Sequence, residues 1–102
     1  MALVNITDEN FKELVDENKG TVLIDFYATW CAPCKAQSPI IDEIAAERDD
    51  ITVGKIDVDE QGALAAMCSV SSIPTLVIVR NGEIVARTVG LTSKNDVLAM
   101  LD

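Results

Sequence analysis

An apolar run at residues 22–28 is interrupted only by Asp25 and is followed directly by two cysteines, Cys31 and Cys34. A strand that is apolar on both faces is typical of the centre of a sheet covered by helices on both sides. The cysteines open an amphipathic segment, as expected of a helix. The sequence therefore predicts a central strand that leads into a helix, with two thiols at the junction.

The spacing of the cysteines favours a helix that begins at the first of them. Cβ atoms three residues apart within a helix lie about 5–6 Å from one another, whereas a disulfide requires about 3.8 Å. If Cys31 is the N-cap, its backbone is not helical and its sulfur faces the free amides of the first turn. Pro33 suits that turn because its φ is fixed and it lacks an amide. The Cys34 amide is then the donor to a Cys31 thiolate.

A helix N-terminus changes the chemistry of a thiol placed there. It stabilises a negative charge by about 1 kcal/mol when exposed and by about 2 when partly buried. Since one pKa unit corresponds to about 1.4 kcal/mol, we expect the pKa of Cys31 to fall from about 8.5 toward 7. A thiol with a pKa near ambient pH attacks disulfides best. We therefore expect a redox-active dithiol in which Cys31 is the nucleophile and Cys34 the resolving thiol.

Three other interpretations of the cysteine pair are a structural disulfide, a zinc site and two inert thiols. No charged-then-apolar leader precedes the domain, which disfavours a structural disulfide and predicts a cytoplasmic location. Structural zinc requires four Cys or His ligands, whereas the sequence has 3 cysteines and no histidine, so we expect no metal site. Two inert thiols remain as the third alternative.

Length and charge limit the other classes of function. A chain of 102 residues suits one domain, at 1–102, and contains no stretch long enough to span a membrane. The formal charge of -9, from 17 acidic and 8 basic residues, argues against nucleic-acid binding, which depends on a basic face. We expect a soluble monomer that binds neither nucleic acid nor membrane.

Hydrophobic periodicity predicts the elements of the first half of the chain. We expect a strand at residues 3–6 and a helix that is capped by Thr7 and ends by Gly20. A second helix, at 34–48, contains Pro39, whose ring meets the carbonyl four residues back and is expected to kink it.

The second half adds a short helix at 62–68 and three strands, at 51–58, 75–80 and 83–89. Asn81-Gly82, between the last two strands, is a strong hairpin signal. Thr92 is expected to cap a final helix. The order βαβαβαββα, with two parallel crossovers and a final hairpin, predicts an α/β fold whose central mixed sheet has helices on both faces.

Asp25 is unusual in a central strand, where aspartate is depleted. Burial without a partner raises the pKa of a carboxyl, and such a group beside a dithiol can exchange protons at neutral pH. The alternative is an aspartate hydrogen-bonded at a strand end. Lys55 shares strand parity with Ile51 and Val53, so its stem lies on an apolar face. Its ammonium either pairs with Asp25 or extends to solvent.

Two further residues have more than one interpretation. Pro74 lies where a strand begins, and a trans bond is the default because few X-Pro bonds are cis. Cys68 is either a buried small hydrophobe or a half-exposed thiol able to form intermolecular disulfides.

Several motifs together resemble the thioredoxin family over essentially the whole chain: Trp30-Cys31-Ala32-Pro33-Cys34-Lys35, Asp25, Pro39, Lys55, Ile73-Pro74-Thr75, Asn81-Gly82 and Val89-Gly90. The resemblance implies the thioredoxin fold and a protein-disulfide reductase that works by thiol–disulfide exchange. It implies that no cofactor is bound and that an NADPH-dependent thioredoxin reductase restores the dithiol. The implied partners are that reductase and disulfide-containing proteins.

The resemblance also assigns roles by matching position. Cys31 attacks the substrate, Cys34 resolves the mixed disulfide, and Asp25 is a buried acid/base with Lys55 nearby. Pro74 matches a cis-proline that faces the dithiol. A rim that receives an extended substrate segment is implied for Trp30, Ala32, Pro33, Val58, Ile73, Pro74, Val89, Gly90 and Leu91.

The chain departs from the usual family pattern at several positions. Ala32 replaces a glycine between the cysteines. The resemblance therefore does not give the reduction potential, but it still implies thiol–disulfide exchange. Tyr27 replaces a tryptophan, and Ser72 and Leu91 alter the rim. Gln37 and Ser38 make the helix more polar than expected before Pro39.

Two other functions compete with a reductase. An oxidase or isomerase domain is disfavoured because no leader directs the chain to an oxidising compartment. A binding subunit without turnover is disfavoured because it would not need Cys31, Cys34, Asp25 and Pro74 together.

Overall fold

Nine elements make up residues 3–102, which is the part of the chain that the computed structural model describes. The strands are β1 (Val4–Asn5), β2 (Thr21–Tyr27), β3 (Thr52–Asp57), β4 (Thr75–Arg80) and β5 (Glu83–Val89). The helices are a short π-helix (Lys12–Asp16) and three α-helices, α1 (Ala32–Glu47), α2 (Gly62–Met67) and α3 (Lys94–Leu101).

The strands form one mixed sheet in the order β1-β3-β2-β4-β5. β3 is parallel to β1 and to β2, while β4 is antiparallel to both β2 and β5. Two parallel pairings joined by crossovers and one closing hairpin are the predicted topology. The predicted α/β fold with a central mixed sheet is therefore confirmed.

The central strand β2 has its core side chains on both faces, because successive residues of a strand point to opposite sides. Ile24 and Phe26 pack in the core layer beneath the π-helix and α2. Leu23 packs in the layer beneath α1 and α3, together with Ile41 and Ile44. Asp25 has the same parity as Leu23, so it points to the face that α1 covers.

The hairpin between β4 and β5 turns at Asn81 and Gly82, whose φ angles are 52° and 77°. A two-residue turn with positive φ at both positions matches the right-handed twist of the two strands. β4 and β5 begin and end at the predicted residues. The other strands and α2 differ from prediction by one residue at one or both ends.

The predicted helix after β1 is wrong in its start and type. Thr7 does not cap it; instead its N–H donates to Asn10 Oδ1 at 2.7 Å. The Thr7 carbonyl nevertheless accepts from the Phe11 N–H at 2.9 Å, so one regular turn precedes the π-helix. The π-helix follows, with the Glu17 N–H donating to the Lys12 carbonyl five residues back at 2.8 Å.

The predicted cap of the last helix is also wrong. Ser93 is the N-cap of α3, and its Oγ accepts from the Asp96 N–H at 3.2 Å. The Thr92 hydroxyl donates instead to the Gly90 carbonyl at 3.0 Å. Both residue types are good caps, so the sequence does not separate two adjacent ones.

Candidate active site

Cys31 is the N-cap of α1, as predicted. Its backbone is extended, with φ -90° and ψ 113°, and its Sγ accepts from the Cys34 N–H at 3.3 Å. The helix begins at Ala32, as the predicted N-cap requires, two residues before the start at 34 that the periodicity gave, and it continues as one element through Pro39. The loop from the end of β2 thus delivers the first thiol to a helix N-terminus.

Cys31 and Cys34 are joined by a disulfide, with their Cα atoms 5.2 Å apart. Both side chains are largely buried, at 5% and 3% exposure. They form a small apolar cluster with Ala28, against which Val58 and Ile73 pack. The pair can therefore open and close within one fold, in largely apolar surroundings.

Asp25 is 1% exposed, and neither of its carboxyl oxygens has a hydrogen-bond partner among the described residues. The alternative of a hydrogen-bonded aspartate is therefore wrong. Burial raises the pKa of Asp25 from 3.8 to about 6; the Lys55 charge opposes this shift, and the Asp42 charge adds to it. The expected rise in pKa is confirmed.

A cavity of about 220 Å³ connects Asp25 to the dithiol. The cavity is lined by Asp25, Tyr27, Ala28, Thr29, Cys34, Lys35, Ser38 and Lys55. Its lining is mainly apolar, but Asp25, Ser38 and Lys55 supply polar partners for water that bridges two groups. Proton transfer between Asp25 and Cys34 is thus possible without direct contact of the two side chains.

Lys55 lies beside Asp25 on the neighbouring strand, since these residues are register partners of β3 and β2. Its Nζ lies 3.5 Å from Ser38 Oγ and 4.6 Å from the centre of the Tyr27 ring. It makes no hydrogen bond to Asp25. Lys55 therefore lies in neither of its two expected positions, paired with Asp25 or extended to solvent. Its ammonium lies at the cavity wall instead.

The bond between Ile73 and Pro74 is cis, so the default expectation of a trans bond is wrong and the geometry implied by the family resemblance is present. The Ile73 carbonyl oxygen lies 4.0 Å from Cys31 Sγ. On the other side of Pro74, its carbonyl accepts from the Gly90 N–H at 2.8 Å. Pro74 therefore lies between the first thiol and the segment after β5.

The residues expected in the substrate rim surround the dithiol with different exposure. Trp30, Val89 and Leu91 are large apolar side chains that are 68%, 64% and 56% exposed. Exposed Ala32 and Pro33, half-buried Val58, Ile73 and Gly90, and buried Pro74 complete the set. Exposed apolar groups next to a reactive centre are typical of a surface that contacts a partner.

Four residues near the dithiol had no assigned role in the sequence analysis. Asp59 accepts from Trp30 Nε1 at 2.7 Å and so orients the indole. Ser38 and Tyr27 contact the Lys55 ammonium. Gln37 is fully buried. Of these four, only Gln37 could have been found from the sequence, because it is a polar residue on the face of α1 that otherwise carries apolar residues such as Ile41 and Ile44.

Cys68 lies in the other core layer, beneath the π-helix and α2, and is 6% exposed. Burial raises the pKa of its thiol. The interpretation of Cys68 as a buried small hydrophobe is therefore confirmed, and the half-exposed alternative is wrong.

Residues 3–102 contain neither a metal site nor a membrane-spanning helix. No group of three or more His, Cys, Asp or Glu side chains there is arranged to hold a metal ion. Likewise, none of the helices described is long and apolar enough to cross a membrane.

Comparison with known proteins is in agreement with this geometry. The family model for thioredoxin matches residues 2–102. A thioredoxin of Staphylococcus haemolyticus is 43% identical, with 100% of this chain and 97% of the relative covered. Thioredoxins of Buchnera aphidicola and Chlamydia pneumoniae are 41% and 46% identical over 98% and 87% of this chain, and over 94% and 85% of their own lengths.

Proposed function

The chain belongs to the thioredoxin family, and from this premise we propose how its residues reduce protein disulfides by thiol–disulfide exchange. The observation that carries the proposal is the Cys31–Cys34 disulfide at the N-terminus of α1, with the Cys34 amide directed at Cys31 Sγ. That arrangement stabilises a thiolate at Cys31 when the pair is reduced.

In the first step, the Cys31 thiolate attacks one sulfur of the substrate disulfide. A mixed disulfide forms between Cys31 and the substrate, and the other substrate sulfur leaves as a thiolate. The rim around Trp30, Pro74 and Leu91 holds an extended segment of the substrate beside Cys31. The Gly90–Pro74 contact supports this role because it joins two parts of the rim at 2.8 Å.

In the second step, Cys34 loses its proton and attacks the Cys31 sulfur. The second substrate sulfur leaves as a thiolate, and the Cys31–Cys34 disulfide closes. Two electrons have then passed from the dithiol to the substrate. We assign to Asp25 the acceptance of the Cys34 proton, with Lys55 modulating its charge. The shared cavity and the raised pKa of Asp25, about 6, support this assignment.

The proposal extends to the protein's partners and location. An NADPH-dependent thioredoxin reductase returns the disulfide to the dithiol, and the substrates are disulfide-containing proteins. The chain acts as one domain, 1–102, and as a cytoplasmic monomer without a bound cofactor. The family membership supports these assignments.

Measurement of the reduction potential tests the direction of electron flow. The protein is equilibrated with reduced and oxidised glutathione, and the dithiol fraction is counted by alkylation and mass spectrometry. A reductase should lie below the cytosolic glutathione poise of about -220 to -260 mV. A potential above that range would indicate an oxidase or isomerase instead. Failure to reduce insulin in the presence of dithiothreitol would indicate a binding subunit without turnover.

A further inference from the structure

Gln37 is a polar side chain with no exposed surface, on the face of α1 that also carries Ile41 and Ile44. A buried amide is tolerated only when its donor and acceptor are both satisfied. Gln37 Nε2 donates to the Thr92 carbonyl at 3.0 Å, and the Thr92 N–H donates to Gln37 Oε1 at 2.8 Å. One side chain thus satisfies both backbone groups of one residue that is 55 positions away.

Thr92 ends the segment 90–92 between β5 and α3, which we call the 90–92 loop. At its other end, the Gly90 N–H donates to the Pro74 carbonyl at 2.8 Å. Within the loop, Thr92 Oγ1 donates to the Gly90 carbonyl at 3.0 Å. Leu91, between them, is 56% exposed. The loop is therefore attached to cis-Pro74 on one side and to α1 on the other.

We propose that Gln37 is a positioning residue that fixes the 90–92 loop relative to the helix that carries the dithiol. This inference rests on the proposed function, in which Gly90 and Leu91 receive the substrate. Without Gln37, the N–H and carbonyl of Thr92 would be buried and unpaired, so the loop would move toward water. An extended polypeptide would then bind less tightly to the loop beside Cys31.

The proposal predicts a separation between two classes of substrate. A protein disulfide in an extended segment needs both Cys31 and the 90–92 loop. A small aromatic disulfide needs only access to Cys31. Loss of the Gln37 contacts should therefore weaken the reaction with proteins and leave the reaction with a small disulfide unchanged.

Gln37→Met tests the proposal, because methionine has a similar length but no amide. Insulin is the protein substrate and 5,5′-dithiobis(2-nitrobenzoic acid) the small one, with dithiothreitol restoring the dithiol in the insulin assay. We expect KM for insulin to rise about fivefold with kcat unchanged, as for the loss of one net hydrogen bond. The rate with the small disulfide should not change.

Amide hydrogen exchange reports on the loop directly. The Thr92 amide should exchange slowly in the wild-type protein and much faster in Gln37→Met, while the Leu23 amide in β2 stays protected in both. Rapid exchange of Thr92 in the wild type would overturn the proposal even if the variant does not fold.

Asn18→Ala is the matched control. Asn18 Nδ2 donates to Leu14 O at 3.1 Å and to Thr52 Oγ1 at 3.2 Å, at the end of the sheet away from the dithiol. This variant loses side-chain hydrogen bonds without touching the 90–92 loop, so KM for insulin should remain at the wild-type value.

The outcomes separate the two proposals. If Gln37→Met changes both substrates in the same proportion, or neither, Gln37 does not position the loop. If the wild type reduces neither substrate, the reductase function is wrong and the role of Gln37 falls with it.

Discussion

Asp25 has a carboxyl group whose protonation is controlled by its position in the sheet. It lies in the middle of the central strand, on the face covered by α1, and both oxygens lack hydrogen-bond partners among the described residues. Desolvation therefore dominates, and the carboxyl loses its proton only near pH 6. At neutral pH, about one unit above this pKa, the carboxyl is mostly ionised, and this form can accept the Cys34 proton.

We predict that Asp25→Asn makes the oxidised protein more stable above pH 7. The pKa of Asp25 is 3.8 in the unfolded chain and about 6 in the fold. Between these values the folded state binds more protons than the unfolded state, so wild-type stability falls as pH rises through that range. The difference of about two pKa units corresponds to about 3 kcal/mol. Urea denaturation of both proteins from pH 4 to pH 8.5 measures it.

The stabilisation by Asp25→Asn should be largest at pH 8.5 and should nearly vanish at pH 4. Asp8→Asn, which removes an exposed carboxylate, is the control and should follow the wild type throughout. A difference between Asp25→Asn and wild type that does not change with pH would contradict the argument. The same variant should slow resolution of the mixed disulfide near neutral pH, since Cys34 loses its proton acceptor.

We predict that reduced Cys31 is alkylated at lower pH than an ordinary thiol. The Cys34 N–H is directed at Cys31 Sγ, and amides of a first turn stabilise the thiolate. The rate of reaction with iodoacetamide should show a midpoint below about 8.5. Quantitative mass spectrometry of the modified peptide, in a Cys68→Ala background, assigns the rate to Cys31. A midpoint at or above the free-thiol value would refute the N-cap argument.

At the scale of elements, the stability of the hairpin between β4 and β5 depends on the glycine at position 82 in its turn. Gly82 has a φ of 77°, and a Cβ built there would lie 2.6 Å from the Asp16 carbonyl oxygen, next to the π-helix. Gly82 is thus favoured both by the positive φ of the turn and by the close approach of the Asp16 carbonyl. At this φ most side chains add strain, and a Cβ also requires the backbone near Asp16 to shift.

We predict that Gly82→Ala lowers the free energy of unfolding by about 2 kcal/mol or more. The left-handed conformation alone costs an L-residue about 1–2 kcal/mol, and the contact with Asp16 adds to it. Gly62→Ala is the matched control, because nothing lies within 4 Å of an added Cβ at the start of α2. The control should be neutral or slightly stabilising. Equal urea midpoints for the two variants would show that the turn tolerates a side chain.

Sequence patterns predicted an element correctly where one local signal was strong. They failed where two neighbouring residues were comparable candidates for the same role. Asn81-Gly82 specifies its turn, since both residues adopt positive φ at low cost. Thr92 and Ser93 are adjacent and both suited to a cap; in the fold the backbone of Thr92 pairs with Gln37, and Ser93 caps α3. The π-helix follows one regular turn, in which the Phe11 N–H donates to the Thr7 carbonyl, and no sequence pattern in this segment predicts its wider turn.

At the scale of the whole molecule, the site combines residues that are distant in sequence. The fold, the position of Cys31 and the raised pKa of Asp25 could be predicted from strand, cap and burial arguments. The cavity between Asp25 and Cys34 and the position of Lys55 beside Ser38 could not be, because they depend on how α1 lies across the sheet. The Gln37–Thr92 contact spans 55 positions and has no local pattern that names its partner.

The placement of the third cysteine on the other side of the sheet leads to the last prediction. Cys34→Ser should trap protein substrates as a mixed disulfide on Cys31, because attack needs only Cys31 but release needs a second thiol held nearby. Cys68 is buried in the core layer beneath the π-helix and α2, away from the dithiol, so it cannot supply that thiol. The adduct should accumulate until an external thiol is added.

Cys31→Ser is the matched variant and should capture little substrate. Cys34 lies one turn inside α1 with 3% exposure, facing the Asp25 cavity instead of the rim. Intact-mass measurement of both variants after mixing with oxidised insulin, followed by peptide mapping, identifies the sulfur that carries each adduct. Equal capture by the two variants, or an adduct on Cys68, would contradict the division of labour between the thiols. Capture by Cys34→Ser alone follows from the positions of the sulfurs: Cys31 Sγ lies 4.0 Å from the Ile73 carbonyl oxygen of the rim, Cys34 lines the Asp25 cavity, and Cys68 lies in another core layer.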